Sequence, residues 1–347
     1  MPQKDSNRVT LGDIAHACGV SRATVSRALK DSALISESVR KEIKKRAADM
    51  GYQPDPEASR LMSYLKRSRK NSFQSVLGIL NAYQPLSAIN KDRYTMELLR
   101  GARERAAALG YTIDDLNLGE SGMKPHRIDQ IIKARSIQGV LVPPEPDPLF
   151  KVELDCSQIS LVATTTTLLP VHLHRVLPSN FYNMRLLLDE AIRMGYKRIG
   201  YLHWDDLEQR QMETGLAIYS LYAYEQKRFE KIPPFSWDWN RGGTLPKRFK
   251  RWFTTYKPDC ILGFGRLALN TITEITEAQA PRDFGYISYG EAEPGISRID
   301  QRPAHVGSAA VDLLSAHCQR SEVGPPSVPK VLLIEGEFVA DATTCQQ

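Results

Sequence analysis

The chain is 347 residues long, 42% hydrophobic and 25% charged, with no run of about 18 apolar residues, which fits a soluble globular protein of two or three domains and excludes a membrane-spanning helix. The net charge is +6, yet residues 1–75 hold 15 Lys and Arg against 8 Asp and Glu, while the remainder hold 31 against 32. All of the excess positive charge therefore lies in the first fifth of the chain, a distribution shared by a basic nucleic-acid-binding head and by a merely solvated basic face.

Met1-Pro2-Gln3-Lys4-Asp5 has no apolar stretch behind it, so no signal peptide is expected. Residues 9–50 predict three short helices. Thr10 can cap the first, with Asp13 three residues on, and Leu11, Ile14 and Ala15 supply its apolar face. Gly19 ends it. Ser21 caps the second, in which Val25 and Leu29 turn inward and Arg22, Thr24, Ser26 and Arg27 outward. Ser36 caps the third, where Val39, Ile43, Ala47 and Met50 follow a 3–4 spacing and Gly51 stands where a left-handed residue closes a helix. Two helices about a tight Gly-containing turn make a helix-turn-helix. Tyr52-Gln53-Pro54-Asp55-Pro56 is a helix stop and a new start, with Asp55 as cap and Pro56 at the first helical position. A short helix over 57–62 and the basic run Lys66-Arg67-Ser68-Arg69-Lys70 then read as a linker.

From Ser75 the pattern alternates. Strands are expected at 76–80, 111–116, 139–142, 159–163, 198–203, 260–263, 286–288 and 331–334, and helices at 95–109, 128–134, 183–194, 209–228, 246–256, 267–279 and 303–318. Alternation of this kind implies parallel sheets covered on both faces. Its restart after Ser179 implies two lobes, with a cleft at the carboxyl ends of the strands. The expected division is a head at 8–53, a hinge helix and linker at 54–74, and a two-lobed core at 75–347.

The run Val9-Thr10-Leu11-Gly12-Asp13-Ile14-Ala15, followed by Gly19-Val20-Ser21-Arg22-Ala23-Thr24-Val25-Ser26-Arg27-Ala28-Leu29, closely resembles the head of the LacI family of transcriptional regulators. The likeness continues through Ile35-Ser36, Val39-Arg40 and Gly51-Tyr52-Gln53-Pro54, and reaches Ala58 and Leu61. It implies an all-α head on a periplasmic-binding-protein-like α/β core. It also implies a dimeric, sequence-specific repressor of a near-palindromic operator in double-stranded DNA, located in the cytoplasm. By the same likeness Arg22, Ala23 and Arg27 match base-reading positions, and Arg on a guanine edge or Ala on a thymine methyl is sound groove chemistry. Thr10, Thr24, Ser26 and Lys30 fit phosphate contacts. Leu11, Ser21, Tyr52, Ala58 and Met62 complete the expected DNA-binding set, with Leu61 as an apolar wedge for a minor-groove step. The hinge departs from the family: Asp55 and Pro56 stand where relatives carry Asn and a basic or small residue, Met62 replaces a small or basic one, and the linker is longer.

Most characterised relatives sense sugars, so the resemblance implies a carbohydrate effector in the cleft. The expected contacts are Trp204, Arg210, Trp239, Glu291 and Gln301, with Asp205 and Asp206 as acceptors for hydroxyls. Here too the pattern departs. Phe264-Gly265-Arg266 replaces a frequent Asn-Asp pair, Met212 stands at a sugar-binding Arg, and Gly290-Glu291 replaces an Asp.

Two other readings compete. One is an enzyme with an accessory head, but no GxSxG, GxxxxGK[ST] or HExxH occurs, and no enzyme, cofactor or metal is expected. Among the seven His only His172-Leu173-His174 are close, an alternation usual on one face of a strand, and Thr164 to Thr167 read as a strand end. The other is a constitutive regulator with a vestigial core. Cys18, Cys156, Cys260, Cys318 and Cys345 have no CxxC spacing and read as reduced thiols. After Glu335 no leucine heptad appears, which favours a dimer over a tail-zipped tetramer.

Overall fold

Thr10 opens the first helix as the sequence requires. Its hydroxyl accepts from the Asp13 amide at 3.3 Å while the Asp13 carboxylate accepts from the Thr10 amide at 2.7 Å, a closed capping box. The computed structural model describes residues 9–29, 31–32, 34–52, 75–83, 87, 92–118, 124–144, 155–166, 173–205, 213–224, 229–237, 244–290 and 293–346. The head consists of α1 (Leu11–Cys18), α2 (Arg22–Leu29) and α3 (Glu37–Asp49). They close on Ile14, Ala15, Val25, Ala28, Ile43 and Ala47. Gly19 and Gly51 take positive φ, 65° and 73°, at the helix ends where they were expected. Ser36 does precede α3, but its hydroxyl lies 3.3 Å from that of Ser38 and makes no cap. The short helix expected over 57–62 lies outside the described residues.

The first lobe is a six-stranded, wholly parallel sheet. Its strands are β1 (Ser75–Asn81), β2 (Tyr111–Asn117), β3 (Gly139–Val142), β4 (Ser160–Ala163), β5 (His174–Pro178) and β11 (Val331–Ile334), in the order β11-β5-β4-β3-β1-β2. One face is covered by α4 (Arg93–Ala108) and the long α10 (Pro303–Arg320), the other by α5 (Pro125–Ala134). The second lobe repeats the plan with β6 (Ile199–His203), β7 (Phe235–Ser236), β8 (Cys260–Gly263), β9 (Gly285–Ser288), β10 (Ser297–Asp300) and β12 (Glu337–Val339), in the order β12-β10-β9-β8-β6-β7. Helices α6 (Asn180–Arg193) and α7 (Thr214–Tyr224) pack on one face, α8 (Leu245–Tyr256) and α9 (Gly265–Thr276) on the other. Four strands, β5, β7, β10 and β12, were not expected from the sequence. Of the alternating pair, His172 lies outside the described residues, and His174 Nδ1 accepts from the Lys330 amide at 3.0 Å. Its ring stacks on that of His317 with centroids 4.5 Å apart, and burial holds both imidazoles below their usual pKa.

The chain passes between the lobes three times, at Pro178–Asn180, at Asp300–Pro303 and at Ile334–Glu337. Each crossing leaves the carboxyl end of a strand. Both sheets therefore turn their carboxyl ends toward the crossings and bound the cleft between them. The same constraint makes β12 the antiparallel member of its sheet: it enters from the cleft side and must run back along β10. The crossings are tied together. The Ser179 amide donates to the Ile334 carbonyl (2.8 Å), the Gly336 amide to Asn183 Oδ1 (2.8 Å), and the Arg302 guanidinium to Glu337 Oε2 (2.6 Å). No described helix is long and apolar enough to cross a membrane.

Candidate nucleic-acid interface and ligand cleft

In α2 the inward positions are settled by packing, since Val25 and Ala28 are fully buried. The 3.6-residue period then turns Arg22 and Arg27 outward, and both are exposed. Thr24 and Ser26 lie half-buried on the same helix. Ser21 caps α2, its Oγ accepting from the Thr24 amide at 3.1 Å and lying 2.8 Å from the Thr24 hydroxyl. Thr10 gives its hydroxyl proton to Asp13 (2.7 Å), and these hydrogen bonds, with help from Arg22, hold the Asp13 carboxyl below its usual range. Leu11 and Tyr52 pack against the head's core, and the Tyr52 amide donates to the Ala47 carbonyl at 2.9 Å. The turn between α2 and α3 is fixed by Asp31, whose carboxylate accepts from Lys44 at 2.5 Å and whose carbonyl accepts from Arg40 at 2.9 Å. Of the remaining expected contacts, the Ala23 side chain, Lys30, Ala58, Leu61 and Met62 lie outside the described residues. The result is a rigid three-helix unit that presents two arginines from one exposed helix, the arrangement that enters a major groove.

The cleft begins at the two topological switch points, between β1 and β3 and between β6 and β8. Beyond β1, Asp92 caps α4. Its carboxylate accepts from the Thr95 amide (3.0 Å), the Thr95 hydroxyl (2.8 Å) and the Tyr83 hydroxyl (2.6 Å). The positive end of the α4 dipole is thereby filled by a carboxylate, which leaves it unsuited to an anionic ligand. At the ends of β6, β8 and β9 stand three aromatic residues in sequence of contact. Trp204 meets Phe264 edge-on at 6.2 Å, and Phe264 leans on Tyr289 at 5.8 Å. Trp204 is half-buried, as is Phe264. Gly290 makes the arrangement possible, because a Cβ there would collide with the Phe264 ring. Asp205 follows Trp204, with the Ser236 hydroxyl donating to its carboxylate (3.1 Å) and His203 Nδ1 beside it at 3.0 Å. Gln301 lies in the second crossing, and its amide nitrogen donates to the Tyr289 carbonyl at 2.8 Å.

Of the residues expected to hold an effector, Trp204 and Gln301 thus converge on the ends of β6 and β9, while Asp206, Arg210, Trp239 and Glu291 lie outside the described residues. Arg266, at the place of the missing Asn-Asp pair, is bound to Glu293 at 2.7 Å. Phe264 was not foreseen as a site residue. Its signal was an aromatic side chain directly after the buried strand Cys260–Gly263, at a switch point. Among the described residues no group of His, Cys, Asp and Glu is placed to hold a metal ion.

Residues 10–55 match the family described as bacterial regulatory proteins, lacI family. Among curated proteins, the chain is similar to the HTH-type transcriptional regulator MalR of Streptococcus pneumoniae, with 27% identity over 146 residues, which spans 42% of each chain. Among solved structures it is similar to the lac repressor dimer bound to operator and the anti-inducer ONPF, with a TM-score of 0.56 and 19% identity over 97% of this chain and 99% of that one. A complex of the transcriptional regulator CelR with cellobiose is similar at a TM-score of 0.56 and 18% identity, covering 97% of this chain and all of the other.

Proposed function

We propose that this chain, which belongs to the lacI family of bacterial regulatory proteins, is a cytoplasmic, homodimeric repressor that binds a near-palindromic operator and is controlled by a neutral carbohydrate. The observation that carries the DNA reading is the exposed pair Arg22 and Arg27 on a helix whose opposite face is the head's core. In this reading Arg22, Ala23 and Arg27 face base edges, and Thr10, Ser21, Thr24, Ser26 and Lys30 lie along the phosphates, with Leu11 and Tyr52 at the margins. Ala58, Leu61 and Met62 belong to a hinge segment within 54–74, where Leu61 wedges into the minor groove. Residues 8–53 form the head and 75–347 the sensing core. A two-fold dimer presents two recognition helices, so duplexes selected from a random pool should share a near-palindrome. Arg22→Ala should relax preference at one base pair per half-site, at a cost of about 1–3 kcal/mol. Equal weakening on every sequence would make Arg22 a phosphate contact.

The chemistry of the carboxyl ends supports this effector class. A filled helix dipole disfavours phosphate, Trp204 and Phe264 offer an apolar face to a ring, and Asp205 is an acceptor for hydroxyls. Gln301 spends one donor on Tyr289 and keeps Oε1 for a ligand hydroxyl; Arg210, Trp239 and Glu291 complete the proposed set. Binding controls DNA affinity only to the extent that the ligand prefers one arrangement of the lobes. Calorimetric titration of a sugar panel should find a ligand whose affinity falls about 10-fold in Gln301→Ala, the equivalent of one lost hydrogen bond. Unchanged affinity would remove Gln301 from the site. A panel with no ligand at all would favour a constitutive regulator with a vestigial core.

A further inference from the structure

The guanidinium of Arg22 does not hang free in the structure. It lies across the first turn of α1, over Gly12. A Cβ at position 12 would come 3.0 Å from Nη2, 3.1 Å from Nε and 3.2 Å from Cζ of Arg22. Three atoms of one planar group at nearly equal distance mean that the plane lies flat over the glycine, not that one corner grazes it. The neighbouring Asp13 carboxylate is already bonded to Thr10 through its amide and hydroxyl, both at 2.7 Å. It therefore attracts the guanidinium through space, without taking it as a direct partner.

We infer that Gly12 is a specificity-determining position, because its missing side chain is the seat that holds the Arg22 guanidinium and sets which base edge that guanidinium reaches. The physical reason is order. An arginine side chain carries roughly 2 kcal/mol of rotamer entropy, and a bidentate contact to guanine demands a fixed fork. A seat that confines the fork before DNA arrives lowers that cost. Any side chain at position 12 occupies the seat in proportion to its size: alanine forces the guanidinium back by a few tenths of an ångström, and leucine removes the space. Gly12 is then a positioning residue that acts through Arg22 and needs no contact with DNA of its own.

The inference rests on the reading of Arg22 as a base contact, and the test separates the two. Duplexes would be selected at one salt concentration by the full chain as wild type, Gly12→Ala, Gly12→Leu, Arg22→Ala and the double variant Gly12→Leu/Arg22→Ala. Gly12→Leu should reduce preference at the Arg22-dependent base pair at least fivefold. Gly12→Ala should reduce it about twofold, and Gly12→Leu should add nothing once Arg22 is alanine. The dependence of affinity on salt should stay as in wild type, since no phosphate contact changes. If Arg22→Ala relaxes that base pair while Gly12→Leu and Gly12→Ala leave it intact, the seat is wrong. The same holds if Gly12→Leu acts equally with and without Arg22. If Arg22→Ala itself changes no preference, the base reading falls and takes the seat with it. Should Gly12→Leu melt out the head by circular dichroism, the twofold shift in Gly12→Ala carries the test.

Discussion

Raising salt from about 50 to about 200 mM should weaken binding of the proposed dimer to its selected duplex by about 10³-fold or more, as for proteins that neutralise six or more phosphates. Residues 1–75, head and linker together, gather the chain's whole positive excess, and each phosphate they neutralise releases condensed counterions, so log K should fall by about 0.9 per phosphate for each unit of log salt. In the proposed dimer two heads would double the count per operator. Lys30 is the cation proposed to lie along the phosphates, so its charge is one that the slope reads. Lys44 is different: its bond to Asp31 spends its charge inside the head. Lys44→Gln should therefore leave the salt slope nearly unchanged, whereas Lys30→Gln should lower its magnitude by about one phosphate. Fluorescence anisotropy across a salt series reads both. A flat salt series would reject electrostatic binding by the head.

Gly307→Ala should destabilise the core by about 3 kcal/mol, at the upper end of overpacking costs. Helices α4 and α10 cross backbone to backbone. The position a Cβ would take at Gly307 is occupied by the Leu98 carbonyl, and that at Gly101 by the Ala304 carbonyl. Neither obstacle is a side chain that can swing away, so relief requires the helices to separate. Separation would open the buried seam of Leu98, Ala102, Val306 and Ala310. A fall of about 6–12 °C in melting temperature is expected for a unit of this size. Gly101→Ala should act alike, and the double variant should cost less than the sum, because one separation relieves both clashes. An unchanged melting temperature would mean that the helices do not meet there.

Much of the head could be read directly, because its signals are local. Thr10 with Asp13, Ser21 with Thr24, and the positive-φ glycines 19 and 51 are each decided within a few residues. Central strands such as Gly139–Val142 and Cys260–Gly263 announced themselves as unbroken buried runs. The strands that escaped notice lack such runs. Ser297–Asp300 alternates buried and half-buried residues around a wholly buried serine, and Phe235–Ser236 is two residues long. His174–Pro178 hides its character because His174 is buried by a ring 143 positions away in sequence. The cleft was least legible for the same reason. Trp204, Phe264 and Tyr289 come from three strand ends, and position 264 read as the loss of a polar pair; the aromatic contact it makes appears only when the sheet places those ends together.

In the proposed sensor the wholly parallel first lobe would work as a crank. Its strand β1 starts at Ser75, where the linker arrives, and ends at Asn81, its seventh residue, on the side of the cleft and the three crossings. At about 3.3 Å per residue the strand is about 23 Å long, so each degree of lobe rotation about the crossings displaces the linker's entry point by about 0.4 Å. Five degrees would carry it about 2 Å, well beyond the few tenths of an ångström that a hydrogen bond tolerates. If the core senses a ligand as proposed, the length of one strand would gear a small closure around it into a displacement large enough to unseat a head from its bases, with no relay of side chains through the lobe.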